Sequence, residues 1–469
     1  MTHANRVITA YVTQQASLLV TTMALVLGCT QAMAQASAPT AALAAGEVEF
    51  ARGVGFAQSA GQTPRTLGKG LALREGDRLT TSDTALAVIK LQDGTRMTVR
   101  PNTEMVLQQY RFKENAPDNS MLMQLLRGGF RAVTGLISKN SPNAARIQTS
   151  TATIGIRGTD FDARLCAKDC SADAKRTKER ARPNAVRASA KVLTTSGELY
   201  AVDPAGLRRR LVEGGSLYPG DAVETTVGTQ AVLAFRDESK IRLGFGTLLR
   251  LDNFVFDEKN PGEGRYAASL VRGSVRALPG RIAKANYRNV AYNASIASVG
   301  FDEANTGEFS IDCKSACADP AGLTVYGWQG PVAVTPQGQT LAQTLQTGQG
   351  LFISGTGVQL SNAAPKTSLA SPADTPTPLS LFVSNELGED EEGLYVFVRD
   401  GHIEINTKDS VLHLGRGEAG FAGGDGSVQR PTTIPRFLDF DPVPMPNSTN
   451  LTVSTILGNT GADSPNICR

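Results

Sequence analysis

The stretch Thr153-Ile154-Gly155-Ile156-Arg157-Gly158-Thr159-Asp160-Phe161 decides how the chain reads. It is a strand broken by a turn. Gly158 supplies a backbone angle that other residues adopt only at a cost. Arg157 and Asp160 flank the turn, either as an ion pair that fixes it or as groups that read a ligand, and the structural role is the expectation. The stretch closes one repeat and returns in altered form as Ser298-Val299-Gly300-Phe301.

Outward from it, Gly76-Asp77 falls on Gly220-Asp221, 144 residues later. In that register Ile89 meets Leu233, Leu91 meets Phe235, Asp93 meets Asp237, Met97 meets Ile241 and Leu107 meets Leu251. The shared positions alternate apolar with polar, the period of a half-buried strand. Asp93-Gly94 between two such strands predicts a tight hairpin. The second copy has Asp237-Glu238-Ser239 there, so a different loop is expected. Arg131-Ala132 then meets Arg276-Ala277, and Cys166 and Cys170 meet Cys313 and Cys317, with the offset rising to 147. A register sustained this far reads as a tandem duplication. A shorter repeat places Gly322-Leu323-Thr324-Val325-Tyr326 on Gly393-Leu394-Tyr395-Val396-Phe397, 71 residues on.

Ala152 to Phe161 resembles the A-T-I-G-V-R-G-T-x-F strand with which FecR-family domains typically end. Leu73-Arg74-Glu75-Gly76-Asp77, Leu91-Gln92-Asp93-Gly94-Thr95 and Leu126-Arg127-Gly128-Gly129-Phe130 resemble that family's earlier motifs. The second copy departs from the pattern, with Phe301-Asp302-Glu303 where the first has Ile156-Arg157-Gly158. The expected fold is all-β: two tandem FecR-like units of β-sandwich or β-roll type. Domains resembling FecR usually run from the Arg-Gly-Thr strand straight into a hairpin. The second copy does so through Leu323; the first runs instead into a basic segment. A spare hairpin, Gly393 to Phe421, follows the second copy, and docking it would cover an otherwise open sheet edge. The second unit is therefore read as inserted into the first. The expected plan is a signal peptide at 1–34, a first unit at 46–170 completed by 379–425, and a basic linker at 171–190. A second unit at 191–360, a Pro/Ser/Thr-rich linker at 361–378 and a C-terminal extension at 426–469 complete it.

Among 469 residues, 47 are basic and 44 acidic; a net charge of +3 gives no global field for nucleic acid. The 47 Gly, 23 Pro and 6% aromatics suit short strands joined by turns. Ala16 to Gly28 is apolar but too short to span a bilayer, and Ala32-Met33-Ala34 follows as a cleavage site, so export is expected. A lipobox at Val26-Leu27-Gly28-Cys29, which would attach the chain to a membrane, and an uncleaved anchor are the alternatives. Export makes the cysteines disulfide candidates. Cys166–Cys170 and Cys313–Cys317 are the expected pairs, and Cys468 is left over, free or paired between chains.

No motif points to a reaction. Gly68-Lys69-Gly70 lacks the spacing and the Ser/Thr of a phosphate loop. Asp409, Ser410 and His413 are neighbours in sequence, which does not make a triad. The acidic run through Glu389 to Glu392 reads as a solvated loop, and His402 as an exposed turn residue. No metal or cofactor is expected. Tyr326 and Trp328 read as half-buried strand aromatics, with stacking on a sugar as the alternative.

The FecR resemblance implies a role like that of the family's periplasmic domain, which relays a signal from an outer-membrane transporter towards a sigma factor. No N-terminal cytoplasmic segment of anti-sigma type precedes a span here, so inward relay by this chain alone is not expected. The expectation is an exported, non-catalytic binding, scaffold or signalling module of the periplasm or cell surface, with a protein partner in the envelope. Glycan or peptidoglycan binding is the alternative.

Overall fold

Runs such as Leu86–Leu91 and Ala231–Phe235, β-rich and apolar, form strands buried on both faces. The computed structural model describes residues 44–140, 144–302, 307–313, 317, 322–365 and 369–439. The segment read as a signal peptide, Cys29, Cys468 and the end of the expected C-terminal extension lie outside them. Among the described residues the chain is all-β, with two sheets of 15 and 17 strands. The helices are single turns, such as Cys170–Ala174 and Arg436–Asp439. No described helix is long and apolar enough to cross a membrane.

Each sheet wraps around its own core. The wrapping comes from long strands that change partners midway. Ser120–Val133 pairs with Glu104–Arg111 up to Arg127, and with Arg96–Val99 from Phe130 onward. Arg265–Leu278 does the same, pairing with Leu248–Val255 up to Arg272 and with Lys240–Leu243 from Val275.

The two bodies share internal wiring. Asp77 is buried and accepts from Arg65 at 2.5 Å, Ser59 at 2.6 Å and the Arg74 amide at 2.8 Å. Asp221 is equally buried and accepts from Arg209 and from the Tyr218 amide. The Asp93 carboxylate accepts from Thr95 N at 3.0 Å and Oγ1 at 2.9 Å, and Asp237 accepts from Ser239 N at 3.2 Å and Oγ at 2.6 Å. The second hairpin therefore uses the same side-chain-closed turn rather than a different loop. Glu238 takes a positive φ of 69° where Gly94 takes 86°.

Gly393–Asn406 lies antiparallel along the whole of Thr153–Cys166, from Thr153↔Asn406 to Cys166↔Gly393. Val411–Leu414 and Ala419–Gly423 follow it into the first sheet. The second sheet, Ala190–Thr195 to Gly357–Ser361, is thus built from residues between two adjacent strands of the first.

The basic segment read as a linker is packed, and the Pro-rich one is anchored at two of its described residues. In the basic one, Asn184, Val186 and Ala188 alternate inward while most of the charged side chains face out. Asn184 donates to the carbonyls of Ala419 and Pro431 and accepts from the Ala419 amide, and Arg182 pairs with Asp439. Charge density concealed a period-2 strip whose partners lie some 240 residues on. In the Pro-rich segment, Leu369 and Pro372 are buried.

Candidate functional site

At the centre of the first body, Arg157 faces His402 and Asp160 faces Asp400, so Gly158 and Thr159 together oppose Gly401. Two residues against one is a β-bulge, which bends the pair. Gly158 has φ +60° and Gly401 φ +92°. A Cβ on Gly401 would lie 2.5 Å from the Gly158 carbonyl oxygen, so the crossing needs glycine there on steric grounds too. Thr159 locks the bend: its amide donates to Thr134 Oγ1 at 2.8 Å and its hydroxyl to the His402 carbonyl at 2.8 Å.

The expected Arg157–Asp160 pair is replaced by two separate sets of partners. Arg157 reaches Glu404 at 3.2 Å, on the facing strand. Asp160 looks the other way. Burial pushes its carboxyl up to about 6, while Arg399 and Arg131 pull it down and Asp162 and Asp400 push it further up.

On the Arg157 side the bend meets the second body. His402 is not an exposed turn residue: it sits in the Gly393–Asn406 strand and stacks on His413, with ring centroids 5.5 Å apart and His413 Nδ1 3.4 Å from His402 Nε2. His402 Nδ1 is buried with no hydrogen-bond partner among the described residues. Gly214 of the second body packs directly on the His413 ring. Lys191, on the second body's first strand, donates to the His413 carbonyl at 3.3 Å and to Glu418 at 2.9 Å. Arg430 reaches the same carboxylate at 2.9 Å. Tyr218 extends the seam, its hydroxyl accepting from the Arg416 amide at 3.0 Å and its ring lying under the Arg416 guanidinium.

Burial pushes both imidazoles down, His413 to about 4 and His402 well below the ordinary histidine value. The charges facing them are Arg157, Lys191 and Arg430, opposed by Glu404. Unfolded histidine takes up protons below about pH 6.5, whereas the folded pair stays neutral. Stability contributed by the pair is therefore full above that pH and is lost as pH falls towards 4. Against His413→Gln, the native chain is expected to lose up to about 2 kcal/mol more between about pH 7 and about pH 5, read by urea denaturation. Parallel pH profiles would mean a solvated imidazole.

On the Asp160 side, buried Asp162 gathers Arg131 at 2.5 Å, Arg399 at 2.7 Å and Arg100 at 3.5 Å. The same three arginines donate to the carbonyls of Phe437 and Leu438, which close over them. Sequence reasoning singled out Asp160 and passed over Asp162, because the three arginines that mark it come from three separate stretches of the chain.

Cys166–Cys170 and Cys313–Cys317 are disulfides, with Cα atoms 5.6 and 4.9 Å apart. Beside the first lies an open cleft of about 1220 Å³, lined among others by Thr151, Cys166, Leu387, Glu391, Phe421 and Asp425. Of the acidic run, Glu389 is fixed by Arg436 at 2.7 Å. Tyr326 is buried and meets Trp328 edge-on at 4.6 Å. Trp328 donates to Ser310 at 2.9 Å, and the Arg276 guanidinium covers its ring at 4.1 Å. Ser410 closes a turn with Thr407 while His413 stacks on His402, so Asp409, Ser410 and His413 do not converge. No group of metal-ligating side chains occurs among the described residues.

No curated protein matches the chain. Two crystal structures of a candidate anti-sigma factor from Parabacteroides distasonis ATCC 8503 align with 30% of this chain at 14% identity and a TM-score of 0.23. The alignment spans 59% of that protein's own length. Residues 77–178, from the buried Asp77 through the Arg157 bend to just beyond the Cys166–Cys170 disulfide, match the family model described as FecR protein.

Proposed function

We propose that this chain is an exported, non-catalytic regulatory module of the bacterial cell envelope that works by binding a protein partner. The match to the FecR family model carries the reading. The two disulfides support export, because such bonds persist in oxidising compartments. Arg157 and Thr159 are engaged in holding the bend, which favours recognition through an assembled β surface over chemistry at the motif. Trp328 lies under Arg276 and bonds Ser310, so the glycan alternative loses its stacking platform.

Crosslinking in cells followed by purification of the mature chain tests the proposal. One envelope protein is expected in stoichiometric amount, with both disulfides oxidised. Recovery of the chain from the cytoplasm with reduced cysteines would overturn export. Turnover of an envelope substrate by the purified chain would overturn the non-catalytic role.

A further inference from the structure

The outer face of the second body holds a segment of the same chain. Lys240, Arg242 and Arg276 stand on the adjacent strands Lys240–Leu243 and Arg265–Leu278, with Arg242 directly opposite Arg276. Segment 369–375 crosses them. Arg276 donates to the Leu369 carbonyl at 2.5 Å, Arg242 to the carbonyls of Ala370 at 2.9 Å and Ser371 at 3.3 Å, and Lys240 to that of Thr375 at 2.7 Å. Each of these acceptors is a main-chain oxygen. The apolar anchors are Leu369, 7% exposed, and buried Pro372. Gly244 leaves room for the leucine: a Cβ there would come within 3.3 Å of Leu369 Cδ2. Glu308 holds Arg276 at 2.7 Å and Trp328 underlies its guanidinium, so the arginine is preset for its carbonyl.

The first body repeats the device. Arg131 occupies the place of Arg276, opposite Thr98 and Asp162 as Arg276 is opposite Arg242 and Ser310. Arg399 stands 71 residues after Trp328, at the matching strand position. Arg100, Arg131 and Arg399 donate to the carbonyls of Phe437 and Leu438, whose side chains are buried beneath. Two segments of unrelated sequence are thus held on matching faces by the same chemistry: basic side chains to backbone oxygens, with a leucine as apolar anchor. Recognition of this kind depends on backbone oxygens more than on sequence; in residues 369–375 the acceptors flank a single 3-10 turn at Pro372–Asp374, and in the first body they lie on the turn Arg436–Asp439.

We infer that the Lys240–Arg242–Arg276 face is a docking surface for a leucine- and proline-containing segment of a partner protein, for which residues 369–375 are the resident stand-in. This rests on the binding role proposed above and gives it a surface and a ligand chemistry.

The test uses the full chain with residues 369–375 replaced by a Gly/Ser segment of equal length, and a fluorescent peptide of sequence 369–378 as probe. Saturable binding to the replaced chain is expected, at least about tenfold tighter than to the native chain, because the resident segment competes as an intramolecular ligand. Arg242→Ala with Arg276→Ala in the replaced chain is expected to abolish it, and Lys69→Ala, at an exposed lysine of the first body, to leave it. Circular dichroism and disulfide mapping establish that each variant is folded. No binding by the folded, replaced chain, or binding indifferent to the two arginines, overturns the inference. A native dimer that dissociates on replacement would assign the face to a second copy and overturn it as well. If the peptide fails while the crosslinked partner is still recovered, this surface is wrong and the binding role stands. If the peptide binds and no partner is recovered, the surface is sound and the envelope role fails.

Discussion

Glu418→Ala is expected to cost the fold about 3–5 kcal/mol, among the largest losses any single substitution in this chain would cause. Glu418, Lys191 and Arg430 are at most 1% exposed at their side chains. One carboxylate there serves two cations: Lys191 Nζ at 2.9 Å, and Arg430 through Nη2 at 2.9 Å and Nε at 3.1 Å. Burial by itself would raise the Glu418 carboxyl, yet Lys191 and Arg430 hold it below the ordinary value. Burial pushes Lys191 down to about 8 against the pull of Glu418. Removing the carboxylate leaves two buried like charges facing each other, which is the expensive way to break such a cluster. Lys191→Met is expected to cost less, because the Glu418–Arg430 pair survives it. Lys191 belongs to the second body and Glu418 to the first, so the loss should appear as separation of the two. In urea, the native chain is expected to unfold in one transition and Glu418→Ala in two. A loss below about 1 kcal/mol would mean that water reaches the cluster.

The all-β fold was legible because it is carried by local pattern. Leu86–Leu91, the Asp93-Gly94 turn and Arg96–Val99 state a hairpin within fifteen residues. The misread turn at Asp237 shows the limit of that pattern. A hydroxyl two residues after the aspartate closes the loop in both copies, and it mattered more than the glycine between them. The seam was not legible. His402 and His413 lie eleven residues apart, but strand register brings their rings together, and a turn reading of His402 hid that register. Lys191 and Glu418 are 227 residues apart. A lone lysine in an apolar strand, Ala190–Thr195, was the one available sign that a buried counter-ion waited elsewhere. The basic face beneath residues 369–375 was hidden for another reason. Its ligands are backbone oxygens, which every residue carries and no composition reveals.

The second large effect is expected at Asp162. Its side chain is fully buried, and it is the common counter-ion of Arg100, Arg131 and Arg399. Asp162→Ala is expected to cost about 3–5 kcal/mol, since three buried or half-buried cations lose the carboxylate on which they converge. It should also loosen 434–439. The arginines that Asp162 orients are the donors to Phe437 and Leu438, and those two side chains complete a small core with Tyr395 and Phe421. New tryptic cleavage at Arg436, absent from the native chain, is the expected sign. Asp160, two residues away, provides the contrast. Burial raises its carboxyl to about 6, so its ionised form at neutral pH costs the folded state free energy that the unfolded chain does not bear. Asp160→Asn is therefore expected to be neutral or stabilising at about pH 7, with the gain fading as pH falls towards the unfolded carboxylate value near about 3.9. Equal losses from Asp160→Asn and Asp162→Ala would mean that both carboxylates hold the arginines. An unchanged Arg436 in Asp162→Ala would mean that residues 434–439 stay down by their apolar contacts alone.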